Sequence, residues 1–505
     1  MSDLLAGLGL LIAAAAAAAA ILLPAGRLRS LAMLTALVLF PVLILGDQWH
    51  SHQIADLRDH PSRLVALGLL AIAASAALAH VFKRWPVLLP LAIIAALPFR
   101  VPLEAGGDTA NLLVPLYLVI SGGVLAVVAR DASTRPAGPV AAGGPPPPAV
   151  AKASSGAVPP TAPPAGGALV WLPRLLAAVV VLYALQALYS EDFSKGLQNV
   201  CFFFVPFGLV YGLLRDVSWD RKLLTLVLWV IGVEAVCFVL VGTVEWATRS
   251  LLWNDQVIRS NEFHTYFRVN SVFWDPNIYG RYLSLVAVVA MSALLWARER
   301  RTLALLTGLV AVVWFGLVPT FSQSSFAALM AGLAVLAALR WSVKWTAIAV
   351  AVAVALLAST FDFGRLNIDT SGRANLVSGG IHLFAQRPVY GYGSGSFPKA
   401  YRQHVETRKA PVSISHTQPI TVAAEQGLVG LVLYVALVVT ALWVMAARAR
   451  LPVARAAVLA TFVALLVHTM AYAGFFEDPI TWVLLAVGVS LAASGAASSA
   501  LRRTR

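Results

Sequence analysis

The sequence predicts an all-α polytopic membrane protein, and composition, segment length and backbone hydrogen bonding each support this prediction. Hydrophobic residues make up 59% of the 505 residues and charged residues only 12%, whereas a soluble domain carries about 25% charged residues. The mean hydropathy is +0.81. Apolar runs of about 17–25 residues, each long enough to span a bilayer as a helix, recur along the chain. Helices are expected because lipid offers no partners to unpaired backbone polar groups.

About fifteen apolar segments can be counted, and we expect about 12–15 transmembrane helices. The fourth segment is short, which makes it a candidate for a re-entrant segment. The predicted segments are 4–23, 31–46, 64–81, 86–98, 110–129, 170–189, 197–214, 222–245, 278–297, 302–318, 323–339, 343–358, 420–446, 455–473 and 479–497.

Basic residues concentrate in alternate turns between these segments, and this pattern predicts the orientation of the chain. The formal net charge is +14, and arginine and lysine favour the cytoplasmic side of a membrane. The turns that carry Arg27 and Arg29, Lys83 and Arg84, or Arg215 are therefore expected to be cytoplasmic. The sequence contains no compact basic domain, so nucleic acid is not an expected partner.

A proline-rich segment divides the sequence into two blocks. Residues 1–130 form an N-terminal transmembrane block of about five helices. Residues 168–505 form a larger transmembrane domain with long outer loops at 246–277 and 359–419. The linker between the blocks, 131–167, is rich in proline, alanine and glycine, which predicts an extended or disordered cytoplasmic segment. A plain tether is the favoured interpretation, and a docking segment is the alternative.

The first outer loop ends in a turn that begins a helix. Asp275, Pro276 and Asn277 are typical of such a start, with Asp275 as the cap and Pro276 at the first helical position. Either these residues only cap the helix, or Asn277 and the preceding Arg268 also face a polar cavity. The hydroxyl-rich stretch 320–326, which includes Ser322, can cap a helix, bind a sugar, or do both.

The second outer loop holds the largest set of groups suited to chemistry. Arginine provides forked, permanently charged donors for a diphosphate, and histidine transfers protons near neutral pH. Glycines at positions 391, 393 and 395 permit positive φ and close approach of the backbone. Arg373 and His416 are therefore candidates to meet Arg268 in one outward cavity. The simpler alternatives are that the arginines contact lipid head groups and that the histidine is structural.

In this order, the motifs resemble those of the O-antigen ligase and O-antigen polymerase superfamily of bacterial membrane glycosyltransferases. The similarity covers roughly residues 200–475. Gln323 departs from the pattern, because the family often has an arginine there, and Arg281 or Arg387 is the expected substitute for that charge. The matching positions are Arg268, Phe273 and Pro276-Asn277, then Thr320 and Ser322, Gly372-Arg373, Pro388 with Gly391 and Gly393, His416, and Glu425 with Gly427 and Gly430.

The resemblance implies a GT-C-like glycosyltransferase of the bacterial inner membrane, with its active site on the extracytoplasmic side. Such an enzyme moves a saccharide from polyprenyl diphosphate to a hydroxyl of a lipid or glycan acceptor. Transfer is inverting and uses no metal, cofactor or nucleotide sugar. His416 is implied as the general base, and Arg268 and Arg373 as groups that stabilise the leaving diphosphate. The implied donor- or substrate-binding residues are Asp275, Asn277, Ser322, Gln323, Arg281, Arg387, Tyr392, Tyr401, Arg402 and Glu425.

Two other functions stay open at the level of the sequence. A transporter or flippase of lipid-linked saccharide would place ionisable groups near the bilayer midplane, where Glu234 and His468 are candidates. A non-catalytic scaffold of envelope assembly would tolerate substitution of His416 and Arg373. The polar residues concentrate in the outer loops, and this favours the enzyme. Membrane lipids are the only other expected partners.

Overall fold

The chain is a bundle of long apolar helices. The computed structural model describes residues 3–49, 51, 58–105, 108–133, 165–263, 266–359, 373–405, 415–447 and 452–503. Within these ranges, eleven helices are long and apolar enough to cross a membrane, and three further apolar helices have 10–17 residues. The predicted polytopic helical membrane protein is confirmed, and its membership of the GT-C class stays a prediction.

The N-terminal block consists of helices and one short β-hairpin. Its fourth helix has only nine residues, too few to cross a bilayer alone, so the short predicted segment does not form a full-length span. The elements are α1 (Asp3–Leu22), α2 (Arg27–Gln48), α3 (Pro61–Arg84), α4 (Leu88–Ala96), the antiparallel strands β1 (Val101–Ala105) and β2 (Asp108–Leu112), and α5 (Val114–Ser133).

The larger domain follows the predicted segments closely. It adds three elements that the sequence did not predict: a π-helical turn at Val200–Phe204, the helix Asp255–Phe263 in the first outer loop and the helix Phe397–His404 in the second. The helices are α6 (Ala165–Ala187), α7 (Phe193–Asn199), α8 (Val205–Leu214), α9 (Arg221–Thr248), α10 (Asp255–Phe263), α11 (Pro276–Trp296), α12 (Arg300–Leu317), α13 (Gln323–Arg340), α14 (Val343–Ser359), α15 (Arg373–Gln386), α16 (Phe397–His404), α17 (Gln418–Ala446), α18 (Pro452–Thr469) and α19 (Pro479–Arg503).

Parts of two predicted segments lie outside the described residues. These are 134–164 of the linker, and 360–372 and 406–414 of the second outer loop. The extended linker therefore stays a prediction. The amphipathic helix expected from about residue 374 to Gln386 is present as α15.

One apolar core joins the two blocks. Ala17 and Ile21 of α1 pack on α8, where a Cβ added to Gly208 would lie 3.5 Å from each of their side chains. Both are fully buried, as are Phe207 and Tyr211 of α8, and all four belong to a single buried cluster. The blocks that the linker separates in sequence thus bury apolar surface against each other.

Two of the predicted cytoplasmic turns lie together at one end of the bundle. Arg29 at the start of α2 forms an ion pair with Asp216 after α8. Arg215 donates a hydrogen bond to the carbonyl of Leu23 at 3.1 Å. From this end α2 runs for 22 residues, about 33 Å at the rise of an α-helix, to Asp47 at the opposite end. Both outer loops lie at that opposite end.

A buried carboxylate organises the first outer loop. Glu245, in the last turn of α9, accepts hydrogen bonds from the backbone N–H groups of Leu252 at 3.2 Å, Asn270 at 3.1 Å and Ser271 at 2.7 Å. These three donors replace the water that a carboxylate loses on burial. The loop is therefore folded back over the end of α9, and this places Arg268 beside the start of α11.

Candidate functional site

The first outer loop holds Arg268 against the starts of two helices. Asn261 of α10 fixes the backbone of Arg268, donating to its carbonyl and accepting from its N–H, each at 3.0 Å. The guanidinium then donates from Nε to the carbonyl of Thr320 at 2.9 Å and from Nη2 to Oδ1 of Asn277 at 3.3 Å. Arg268 thereby connects the start of α11 with the turn before α13.

The predicted cap of α11 is present, and Asn277 has a second role beside it. Asp275 is the N-cap and accepts from the N–H of Asn277 at 2.6 Å, with Pro276 in the first turn. Oδ1 of Asn277 also accepts from the hydroxyl of Ser322 at 2.9 Å. The capping role of Asp275 is therefore confirmed, while a polar cavity beside Asn277 and Arg268 stays a prediction.

The hydroxyl-rich turn continues the hydrogen bonds toward a buried histidine. Ser322 stands at the N-cap position of α13 but makes no side-chain cap hydrogen bond. Its hydroxyl instead lies 3.2 Å from that of Ser324, which is 3.2 Å from Nε2 of His468. His468 is fully buried near the end of α18. Sequence reasoning considered His468 only as a transporter residue.

Tyr472 lies at the centre of the remaining groups. Its ring centroid is 5.9 Å from the ring of His468 and 6.2 Å from the ring of His416. The guanidinium carbon of Arg281 lies 5.9 Å from the same ring, within the range of cation–π attraction. Tyr472 therefore connects the chain of contacts from Ser324 to His468 with both His416 and Arg281.

The backbone of His416 is held in a conformation that is unusual for a residue other than glycine. Its φ is +62°, and left-handed backbone costs roughly 1–2 kcal/mol for an L-residue. The two neighbouring residues fix it, since Ser415 bonds Thr421 at 2.8 Å and Thr417 donates to the carbonyl of Met470 at 3.0 Å. Such strain is frequent at functional sites, where the surrounding structure imposes it.

A buried ion pair completes the arrangement. Nη2 of Arg281 lies 2.9 Å from Oδ2 of Asp478, with side-chain exposures of 5% and 4%. Asp478 also accepts from the N–H of Ile480 at 2.9 Å at the start of α19. Arg100 of the N-terminal block interacts electrostatically with both members of the pair, and burial lowers the pKa of its guanidinium.

These contacts form one connected set, which we call the outer polar network. Its residues come from both outer loops, from the turn between α18 and α19, and from the ends of α11, α13 and α18. The residues are Arg268, Asn277, Ser322, Ser324, His468, Tyr472, His416, Arg281 and Asp478.

The structure brings some of the sequence-predicted site residues together and leaves others apart. Arg268, Asn277, Ser322, Arg281 and His416 belong to the outer polar network. Gln323 is exposed at the first turn of α13. Arg373 begins α15, but its side chain lies outside the described residues, and its proposed convergence with Arg268 and His416 stays a prediction.

Sequence reasoning assigned no site role to Tyr472 or Asp478, which complete the network. The useful signal was local, since both stand in the turn 470–478 between two apolar helices. Glu477 of the same turn is half-buried, and desolvation raises the pKa of its carboxyl group. Nothing in the sequence indicated that this turn lies beside both outer loops.

The other candidates form a second group, which we call the loop cluster. Arg387 stacks on Tyr392, with 4.2 Å between its guanidinium carbon and the ring centroid, and lies 3.3 Å from the carboxylate of Glu191. Tyr401 is buried and stacks on Phe397 at 5.8 Å. Arg402 is exposed. A binding role for these residues is untested, and their observed contacts stabilise the folded loop.

Glu425 is used by the backbone of the glycine-rich turn. Its carboxylate accepts from the N–H groups of Gly395 at 2.9 Å and Phe397 at 3.1 Å. The backbone N–H of Gly393 donates to its carbonyl at 2.8 Å. In the other direction, the N–H of Leu428 donates to the carbonyl of Pro388 at 2.7 Å. The two glycine motifs of the sequence therefore interlock, and Glu425 has a structural role here.

Replacing Gly391 by alanine is expected to destabilise this interlock by roughly 2 kcal/mol or more. Gly391 has φ +67°, and an added Cβ would overlap the backbone of Glu425. The melting temperature of the purified protein in detergent measures the effect. Gly308→Ala is the matched control, because its Cβ would meet nothing within 4 Å. Equal melting temperatures for the two variants would show that the turn tolerates the methyl group.

Comparison with known families identifies a match in the second half of the chain. Residues 308–435 match a family model described as O-antigen ligase. The matched range begins within α12 and ends within α17, so it includes Ser322, Ser324 and His416 and leaves out Arg268, His468 and Asp478. No curated protein matches the sequence.

Proposed function

The O-antigen ligase match supports assignment of the chain to the O-antigen ligase and polymerase superfamily, and from this premise we propose a specific glycan transfer. The protein moves a saccharide from a polyprenyl-diphosphate donor to a hydroxyl group of a lipid or glycan acceptor. The observation that carries the proposal is the outer polar network, in which continuous contacts connect Arg268 with His416.

In the proposed reaction, arginines hold the diphosphate. Arg268 is fixed from its backbone outward by Asn261, so its guanidinium needs little reordering to meet a phosphate. Guanidinium groups match phosphate oxygens with paired hydrogen bonds and keep their charge at all relevant pH values. Arg281 supplies a second positive charge and takes the place of the arginine that the family pattern has at position 323.

His416 accepts the proton of the acceptor hydroxyl. The hydroxyl oxygen attacks the anomeric carbon and forms the new glycosidic bond. The bond from that carbon to the diphosphate oxygen breaks, and its electron pair leaves with the polyprenyl diphosphate. Attack opposite the leaving group inverts the anomeric centre. Arg268 and Arg281 stabilise the charge that develops on the leaving oxygen.

The proposed active site faces the extracytoplasmic side of the bacterial inner membrane. The outer polar network lies at the end of the bundle opposite the ion pair of Arg29 with Asp216. Basic turns favour the cytoplasm, so the end that carries Arg268 and His416 is assigned to the other side.

The test is transfer by the purified protein with a synthetic polyprenyl-diphosphate glycan and a defined hydroxyl acceptor. The expected products are the extended acceptor and free polyprenyl diphosphate in equal amounts. Arg268→Lys should lower the rate about 100-fold, because one loss of a preorganised donor costs roughly 10²–10³ in rate. Arg249→Lys is the matched control, since Arg249 stacks on Trp246 in the same loop. Donor binding without any transfer would instead support a transporter or a scaffold.

A further inference from the structure

The N-terminal block contributes directly to the region around the buried ion pair. Arg100 follows α4 at the base of the β-hairpin, and the preceding Phe99 packs on Phe238 of α9 with 5.6 Å between ring centroids. The guanidinium of Arg100 interacts electrostatically with Arg281, Asp478 and Tyr472. A residue that lies outside the range resembling the family thus reaches the outer polar network.

Two guanidinium groups interact with one buried carboxylate at this point. Arg281 forms the ion pair with Asp478, and Arg100 interacts electrostatically with the same carboxylate. Glu477 precedes Asp478 and interacts electrostatically with Asp478 and Lys195. A buried charge is costly unless it is paired, and an anion bound here would pair with the second guanidinium group.

Arg281 also presents an unsatisfied donor. Its side chain is 5% exposed, and its Nη1 atom is buried without a hydrogen-bond partner among the residues that the structure describes. Buried donors are nearly always satisfied in native proteins. A phosphate oxygen at Nη1 would satisfy this donor and pair with the charge of the guanidinium group.

An apolar cavity begins beside Arg100 and Arg281, which we call the anion subsite. Its volume is about 780 Å³, and its wall includes Leu97, Tyr282 and Ile480. These three residues lie close in sequence to Arg100, Arg281 and Asp478, respectively. Along α11 the cavity extends from Tyr282 to Ala297, which is about 22 Å at the rise of an α-helix. Trp219 and Trp296 lie on its wall toward the cytoplasmic end.

We infer that the N-terminal block forms one wall of the donor site, where Arg100 and Arg281 bind a phosphate of the lipid-linked donor and the cavity beside α4 and α11 takes its polyprenyl chain. This inference rests on the proposed function for the identity of the donor. Ile94 and Leu97 of α4 supply the N-terminal wall.

The length and the lining of the cavity point to one kind of occupant, since its wall is formed mainly by apolar side chains over about 22 Å. An extended hydrocarbon chain fits a narrow apolar cavity of this length. The position of the cavity directly beside an anion subsite matches a ligand with a phosphate at one end of a long apolar chain.

The test compares ligand binding with transfer in the full-length protein. Thermal stabilisation by polyprenyl diphosphate without saccharide reports binding, since a ligand of the native state raises the melting temperature. Arg100→Gln should raise the donor KM by about tenfold or more, with kcat within threefold of the wild type. Leu97→Trp should fill the cavity and abolish the stabilisation. The matched controls are Arg130→Gln and Leu69→Trp, both in the N-terminal block on exposed surfaces, and neither should change KM or stabilisation.

Further measurements keep the inference open to refutation even if a variant does not fold. A photoreactive polyprenyl diphosphate should label residues 88–100 of the wild-type protein. Labelling confined to the exposed face of α3, or an unchanged donor KM in folded Arg100→Gln and Leu97→Trp, would overturn the inference while leaving glycan transfer intact. Binding that depends on Arg100, in a protein that transfers no glycan, would support this donor site and reject the proposed enzyme.

Discussion

Replacing His416 by glutamine is expected to lower the rate of glycan transfer by about 10²–10⁴, the usual contribution of a positioned general base. Glutamine retains hydrogen-bonding capacity and similar size but cannot take the proton of the acceptor hydroxyl. Its amide also fits the polar surroundings of Tyr472. The donor KM should stay within about threefold, because the arginines hold the diphosphate. Initial rates with saturating donor and acceptor measure the effect.

The pH dependence of the wild-type rate gives an independent readout of the same role. A general base must be unprotonated to act, so the rate should rise with pH across roughly pH 5–8, where histidine side chains generally titrate. This rise should be absent from the residual rate of His416→Gln. His382→Gln is the matched control, because His382 is an exposed outer-loop histidine that contacts Gln386 at 3.0 Å. Equal loss in both variants would assign the effect to the loop and not to the base.

The sequence predicted the helical segments and the groups of each outer loop, because both leave local signals. Apolar runs identify spans through their length, and the Asp275-Pro276 turn identifies a helix start through its capping chemistry. The fourth segment was predicted to be short, and it forms the nine-residue helix α4. Prolines at 86 and 98 flank this helix, and proline disfavours continuation of a helix.

The composition of the outer polar network required three-dimensional information. Arg281 lies inside an apolar helix, and only the structure shows that Asp478, almost two hundred residues later, neutralises it. Tyr472 and His468 are one turn apart at the end of α18, where aromatic and polar residues usually have only a packing or capping role. The contacts of Glu425 also needed the structure, since its carboxylate accepts backbone hydrogen bonds of the glycine turn, and its predicted binding role stays a prediction.

The proline-rich linker is a poor guide to the relation between the two blocks. A tether in sequence suggests domains that move independently. Here Ile21 of α1 is buried with Phe207 of α8 in one apolar cluster, and Arg29 pairs with Asp216 across the two blocks. The N-terminal helices are therefore part of the same folded unit as the outer polar network, which is the condition for Arg100 to contribute to it.

Replacing Asp478 by asparagine is expected to destabilise the protein by about 3–5 kcal/mol, the usual cost of removing one partner of a buried ion pair. Asparagine still caps α19, because asparagine and aspartate are comparable N-cap residues. The cap hydrogen bond from Ile480 is thus retained, and the loss reports the charge alone. Arg281 and Arg100 then lose the carboxylate with which both interact. The melting temperature in detergent and the yield of monodisperse protein measure the loss.

The double variant Arg281→Met with Asp478→Leu removes both charges and should recover most of this stability, since buried ion pairs are often replaceable by apolar side chains. It should remain inactive, because the donor phosphate loses Arg281. Polyprenyl diphosphate should raise the melting temperature of Asp478→Asn by more than that of the wild type, as the diphosphate replaces the missing negative charge. A melting temperature of Asp478→Asn equal to that of the wild type would mean that water already screens Arg281. The buried positive charge that draws the donor phosphate into this site would then be absent.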